Sequence, residues 1–260
     1  KTICDSSEET LKRKSTKYPG ITTTSSYADI LTSPDIHAVV IATPAEQHYS
    51  LAKKSLLADK HVFVEKPLSM TAQEGEDLVK IAKRQEKVLF VGHILQYHSA
   101  VQTVKRMLHE GELGKLQYIY SNRLNLGKIR REENILWSFA PHDISVILSL
   151  VGEEPVEISA TGTNILHPEI ADTTITNMRF SSGIGAHIFV SWLHPFKEQK
   201  MVIIGDRKMV VFDDTAPIDK KLMLYPHQIS WKDGVPVPEK KEGFPIELSK
   251  NWEEPLTSEG

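Results

Sequence analysis

Apolar residues in the first third of the chain come in short blocks separated by stretches with helical spacing. Residues 36–42 hold contiguous β-branched Val39, Val40 and Ile41, which predicts a buried strand. Residues 46–58 read as a helix whose shared face is Ala52, Leu56 and Leu57. Residues 61–64 are a second apolar block, and residues 88–91 a third, ending at Gly92. Between these two blocks, residues 69–83 read as helix. Thr71 followed three positions later by Glu74 forms a capping box. Residues 6–17 are polar with helical spacing behind Ser6 or Ser7 as cap. Residues 27–31 suit a short helical turn. Residues 1–5 look like the end of a buried strand, so the chain is expected to start inside a fold. This alternation predicts an α/β unit built on a doubly wound parallel sheet over residues 1–92.

The rhythm changes after Gly92. Residues 100–110 are helical, and residues 116–125 suit a long strand. Residues 141–151 read as a helix with Pro141 in its first turn and Gly152 at its end. Strand patterns then dominate at 157–165, 173–180, 186–192, 200–204, 208–212 and 221–225. Residues 181–185 and 205–208 have turn composition. This predicts a second, α+β domain over residues 93–260, built on an open and mostly antiparallel sheet. The Pro-, Lys- and Glu-rich tail from Trp231 reads as loop and looks unfinished.

Composition changes this picture little. The 260 residues are 40% hydrophobic and 25% charged, as in ordinary soluble globular proteins, and the formal charge is -3. That balance gives no basic footprint for nucleic acid. No apolar run is long enough to span a membrane. The one cysteine, Cys4, excludes an internal disulfide, fits a reducing, cytoplasmic setting and reads as a strand residue rather than a nucleophile. Gly-x-Ser-x-Gly is absent. His167, His187 and His194 lack mutual ligand spacing, so no metal site is expected.

The candidate chemistry sits where apolar blocks end. In parallel sheets, ligands bind beyond the carboxyl ends of the strands. Asp5 stands at such an end, where an acid can accept hydrogen bonds from an adenosine ribose and favour NAD over NADP; it can equally cap the next helix, beside Ser6. Thr43 and Pro44 end the 36–42 block, and His48 follows as a residue that packs on a cofactor or faces solvent. Glu65-Lys66-Pro67 ends the 61–64 block. A lysine there can hydrogen-bond a substrate hydroxyl and help its proton leave during hydride transfer, or form a surface ion pair. His142, beside Asp143 at the expected helix start, can act as general acid/base or be structural, with Asp143 a first-turn carboxylate favoured by the helix dipole. Arg123, Lys128, Arg130 and Arg131 can bind an anionic substrate or be a solvated loop. His93, Tyr97 and His98 can line the same cleft, and Tyr97 and His98 can equally be packing residues at a helix start.

Taken in order, Ala42-Thr43-Pro44 with His48, Glu65-Lys66-Pro67, Gly92-His93 with Tyr97-His98, and residues 137–143 resemble the Gfo/Idh/MocA family of NAD(P)-dependent sugar and cyclitol dehydrogenases. The resemblance covers nearly the whole chain. It implies an N-terminal Rossmann domain and a C-terminal α/β domain whose open sheet often forms an oligomer interface, hence a homo-oligomer, dimer or tetramer. It implies NAD as cofactor, held by Asp5, Ser6, Thr43, Pro44, His48, Glu65 and Lys66. Lys66 and His142 would flank the substrate carbon. His93, Tyr97, Arg123, Arg131, Trp137 and His142 would contact substrate. The wording of residues 136–143 is similar to the branch acting on UDP-linked N-acetyl sugars.

Two departures accompany the resemblance. Ser138 stands where the family usually carries an acid, four residues before the histidine. Gly-x-Gly-x-x-Gly occurs nowhere, and its strand is expected to precede Lys1; the family's final helices are likewise expected beyond Gly260. A non-catalytic nucleotide-sugar-binding homologue is the competing expectation.

Overall fold

The computed structural model describes residues 1–131 and 133–248. The chain divides into two units, Lys1–Gly92 and His93–Gly260.

The first unit runs β1 (Thr2–Cys4), α1 (Glu8–Lys17), β2 (Thr22–Thr24), α2 (Tyr27–Thr32), β3 (Ala38–Ile41), α3 (Ala45–Leu57), β4 (His61–Val64), α4 (Ala72–Arg84) and β5 (Leu89–Val91). β1 and β2 pair in parallel, and β3, β4 and β5 form a separate parallel sheet in that order. The register sets Val39 beside Val62 and Ile41 beside Val64. These four side chains pack against Ala52 and Leu56 of α3 and Leu78, Ile81 and Ala82 of α4.

Burial differs from the expectation at three places. Strand β3 buries only alternate residues, and Val40 is 71% exposed. Its two faces meet different surroundings, because α3 packs on the face that carries Val39 and Ile41. Leu57 is half exposed, since the buried stripe of α3 is His48, Ala52, Ser55 and Leu56. Cys4 is exposed rather than part of a buried strand.

Helix starts follow their capping chemistry. Ser7, not Ser6, accepts from Thr10 N at 3.2 Å and caps α1. Thr71 accepts from Glu74 N at 3.3 Å. Glu74 in turn accepts from Met70 N rather than Thr71 N, so the box closes one residue early.

The second unit holds a 3-10 turn (Ile94–Tyr97), α5 (Ser99–His109), β6 (Leu116–Leu124), α6 (Ile135–Val151), β7 (Pro155–Thr163), β8 (Thr173–Phe180), β9 (Gly185–Ser191), β10 (Glu198–Gly205), β11 (Met209–Asp213), β12 (Leu222–Tyr225), β13 (Gln228–Lys232), β14 (Val235–Glu239) and β15 (Phe244–Pro245). Eight strands form one sheet in the order β15-β12-β11-β10-β6-β9-β8-β7. Every pair in it is antiparallel except β6 with β9. Val101, Val104 and Met107 of α5 join Val146 and Ile147 of α6 and sheet residues Ile119, Ile188 and Ile203 in one core. Trp192 is fully buried there, and its indole N–H donates to Asp172 Oδ1 at 2.6 Å. Asp172 Oδ2 accepts from both Ile165 N and Leu166 N at 2.7 Å, which fixes the loop after β7.

Two expectations are corrected here. Helix α6 starts at Ile135, because Asn134 caps it by accepting from Trp137 N at 3.1 Å. Pro141 is therefore inside the helix and not in its first turn. The tail is also not all loop. β13 and β14 pair as a hairpin in which Pro236 and Pro238 face Trp231 and Ile229. Proline is tolerated on such a two-stranded edge, and Asp233 and Gly234, both at positive φ, form its turn. The final expected portion, residues 249–260, lies outside the described residues.

Candidate functional site

In the first unit the named residues collect at the carboxyl ends of parallel strands. Asp5 follows β1, Thr43 and Pro44 follow β3, and Glu65, Lys66 and Pro67 follow β4. Thr43, Pro44 and Ser6 are exposed; Lys66 is half-buried, and the Lys66-Pro67 peptide is cis. Asp5 Oδ1 accepts from Ser7 N at 2.8 Å, so its carboxylate organises the start of α1 while standing at the strand end. The last ladder bonds run from Glu65 N to Ile41 O at 2.9 Å and from Gly92 N to Val64 O at 2.8 Å. Gly92 has no room to spare: a Cβ there would sit 3.0 Å from Glu65 Oε2 and 3.3 Å from the Phe63 ring.

His48 departs from the solvent-facing alternative. It is 1% exposed, and both ring nitrogens meet main-chain oxygens. Nδ1 lies 2.6 Å from Pro67 O and Nε2 lies 2.8 Å from Thr43 O.

In the second unit, His93 and His142 face each other edge to face, with ring centroids 6.4 Å apart. His142 sits in the body of α6, not at its start. Trp137 is at the exposed edge of that helix, and Tyr97 is exposed at the end of the 3-10 turn. The same turn is tied to α6 by Gln96, whose side-chain amide donates to Ser145 O at 2.5 Å. His98 is buried and caps α5, accepting from Ala100 N at 3.1 Å, so it serves the fold.

Asp143 does not act on its neighbour His142. It is 3% exposed and takes Ser121 Oγ at 2.7 Å and Arg123 Nε at 2.7 Å. Burial works against the Arg123 charge, but Asp143, with Asp214 behind it, outweighs burial and raises the guanidinium pKa. Arg123 is thereby drawn out of the basic loop. Arg130 binds Glu133 at 3.1 Å, and Lys128 and Arg131 are exposed. Ser138 is buried in α6. The Arg123–Asp143 pair spans 20 residues, and no local pattern announces it. Glu133, buried against the start of α6, is a further residue that sequence reasoning passed over. Among the described residues no group of three His, Cys, Asp or Glu could hold a metal ion. No helix among them is long and apolar enough to cross a membrane.

Residues 1–93 match a model described as "Oxidoreductase family, NAD-binding Rossmann fold", and residues 101–211 match its partner C-terminal domain. The UDP-N-acetylglucosamine 3-dehydrogenase of Acidithiobacillus ferrooxidans is 29% identical over 158 residues, 60% of this chain and 49% of that protein. The chain spans about half the length of the curated relatives it matches. The solved structure of that dehydrogenase covers 96% of this chain and 75% of its own, with a TM-score of 0.79 and 24% identity. The WlbA dehydrogenase of Bordetella pertussis, solved with NADH and UDP-GlcNAcA, covers 84% of this chain and 67% of its own, with a TM-score of 0.76 and 24% identity. At these identities the two structures speak for the fold.

Proposed function

This chain belongs to the Gfo/Idh/MocA oxidoreductase family, and on that footing we propose that it moves a hydride between NAD and a ring carbon of a sugar or nucleotide sugar. The observation that carries this reading is Lys66, held at the carboxyl end of a parallel strand in a unit of the NAD-binding type. The chemistry of the strand ends fits a dinucleotide. The Asp5 carboxylate can accept from ribose hydroxyls, which favours NAD over NADP, while Ser6, Thr43, Pro44 and Glu65 border the same edge. Bound NAD⁺ supplies the hydride acceptor. Lys66 would hydrogen-bond the reacting hydroxyl oxygen as the carbinol becomes a carbonyl, and His142 is the second unit's candidate for general acid/base work. His93 stands beside His142 to limit where its ring can lie. Tyr97 and Trp137 offer exposed aromatic surface to a sugar. With Arg123 committed to Asp143, the anionic part of a substrate falls to Arg131 and Lys128.

Relatives named for UDP-linked sugars support a UDP-N-acetyl sugar as substrate. The exposed apolar side chains Val156, Ile158 and Ile175 on β7 and β8 support a homo-oligomer formed through the large sheet. A cytoplasmic location accords with an exposed single thiol.

The test is NADH formation by the full-length protein across a panel of UDP-sugars and free sugars. Turnover with one class is expected, and Lys66→Ala should lose turnover far more than NADH affinity. No turnover and no NADH binding would overturn the reading. Ser138, with Asp143 occupied elsewhere, favours a second reading: a homologue that binds nucleotide sugar without turnover. Calorimetric sugar binding without NAD binding would support that one instead.

A further inference from the structure

We propose that His48 is a positioning residue for Lys66: its ring clamps the exit of β3 to the exit of β4 and so sets the turn that carries the lysine. The inference deepens the dehydrogenase reading and, for the role of Lys66, rests on it.

The main chain explains why such a clamp has work to do at this place. Parallel β3 and β4 hold each other by ladder bonds as far as Glu65 N to Ile41 O. Beyond Glu65 the two chains part, Thr43-Pro44 running into α3 and Lys66-Pro67 running toward α4. Proline has no N–H, so Pro67 offers the neighbouring chain only its carbonyl. That carbonyl and the one at Thr43 are the two groups that the His48 ring meets, at 2.6 Å and 2.8 Å. One rigid imidazole thus links two strand exits that no ladder bond links.

His48 is well placed for this because its own position is fixed twice. It lies in the first turn of α3, whose start is pinned by Gln47 N donating to Pro44 O at 2.9 Å. It also belongs to the buried stripe of the helix with Ala52, Ser55 and Leu56, against the sheet core. The ring therefore carries the position of the helix and sheet to a residue adjacent to Lys66. Both partners are carbonyl oxygens, which only accept, so each contact is a hydrogen bond only where the facing ring nitrogen carries its hydrogen, and the ring spans the two carbonyls at 2.6 Å and 2.8 Å. The imidazole presents its two nitrogens on opposite sides of one rigid plane. The substitution His48→Gln would keep one donor group at one end, and His48→Leu would keep none.

The consequence for chemistry is one of geometry. A lysine displaced by about 1 Å from its reacting oxygen can cost about a hundredfold in rate while cofactor contacts elsewhere persist.

The experiment uses the full-length protein with His48→Leu, which keeps apolar volume, and His48→Gln, which keeps one donor. Two readouts are taken. Hydrogen exchange is followed over residues 65–70 and, as an internal control, over α4. Steady-state turnover is compared with NADH affinity. The clamp predicts faster exchange at 65–70 with α4 unchanged. It also predicts a fall in kcat toward a hundredfold for His48→Leu, with a much smaller change in NADH affinity and partial recovery in His48→Gln. Unchanged exchange at 65–70, or turnover that survives His48→Leu, overturns the proposal. Equal losses of turnover, NADH affinity and α4 protection also overturn it, since that pattern marks a general loss of fold. A wild-type protein that neither turns over nor binds NADH overturns the dehydrogenase reading; the exchange result then still decides whether the clamp exists.

Discussion

The two units place their candidate residues differently with respect to their cores. In the second, His142 and Asp143 are consecutive on one helix, yet one belongs to the candidate chemistry and the other to a buried ion pair with Arg123. Fold and site there share an element, so damage to one reaches the other. In the first unit the core of Val39, Ile41, Leu56, Val62 and Leu78 lies beneath the sheet, and the candidate residues stand past the strand ends. Two of them, Thr43 and Pro67, meet the His48 ring at their carbonyls, and Asp5 accepts from Ser7 N. Candidate residues therefore share a core helix in the second unit, while two in the first are strapped past the strand ends by His48.

The sharpest way to break this contrast is Arg123→Met. It leaves Asp143 as a buried charge with, among the described residues, only Ser121 still donating to it, at an expected cost of about 3–5 kcal/mol. Urea unfolding followed by tryptophan emission measures it, and adding Asp143→Leu should return most of the loss. A single-variant loss too small to resolve would show that the pair is not what ties α6 to β6. Leu56→Ala comes next. Removing a fully buried side chain should cost about 2–5 kcal/mol, yet confine its faster amide exchange to Lys1–Gly92. Equal acceleration in His93–Gly260 would end the idea of two separately supported cores.

The smallest effect expected is an acid one. Burial opposes the Asp172 carboxylate, but the N–H groups of Leu166 and Ile165 and the Trp192 indole hold its pKa below the ordinary value. The folded state then binds its proton less readily than the unfolded chain. The resulting stability is present above the unfolded carboxyl pKa of about 3.9 and fades as pH falls below it. Asp172→Asn should flatten that decline in the second unit; an unaltered acid profile would refute the assignment.

Much of this arrangement was readable from spacing. The β3-α3-β4-α4-β5 run and the later strands follow period-2 and helical patterns that local chemistry imposes. Failures came where another effect outweighed the pattern. Pro141 looked like a helix start, but the Asn134 cap lies about two turns earlier and the helix continues through the proline. The polar Thr22–Thr24 strand has no apolar signature and exists through its pairing with β1. The β13–β14 hairpin hid behind its prolines. For the site, Lys66, Thr43 and Asp5 could be placed from strand ends alone. The pairing of Arg123 with Asp143 was not readable, because both partners look like candidates until the fold brings them together. His48 was visible as a residue, but its two carbonyl partners come from segments 5 and 19 positions away.

The indole of Trp192, locked to Asp172 in a dry core, has an optical corollary. All four tryptophans of the chain stand at position 137 or later, so Lys1–Gly92 is silent in indole emission. Fluorescence therefore watches one half of this molecule, while far-ultraviolet dichroism watches both. The separation between the two melting curves is then a direct reading of how far the strapped half comes apart before the other.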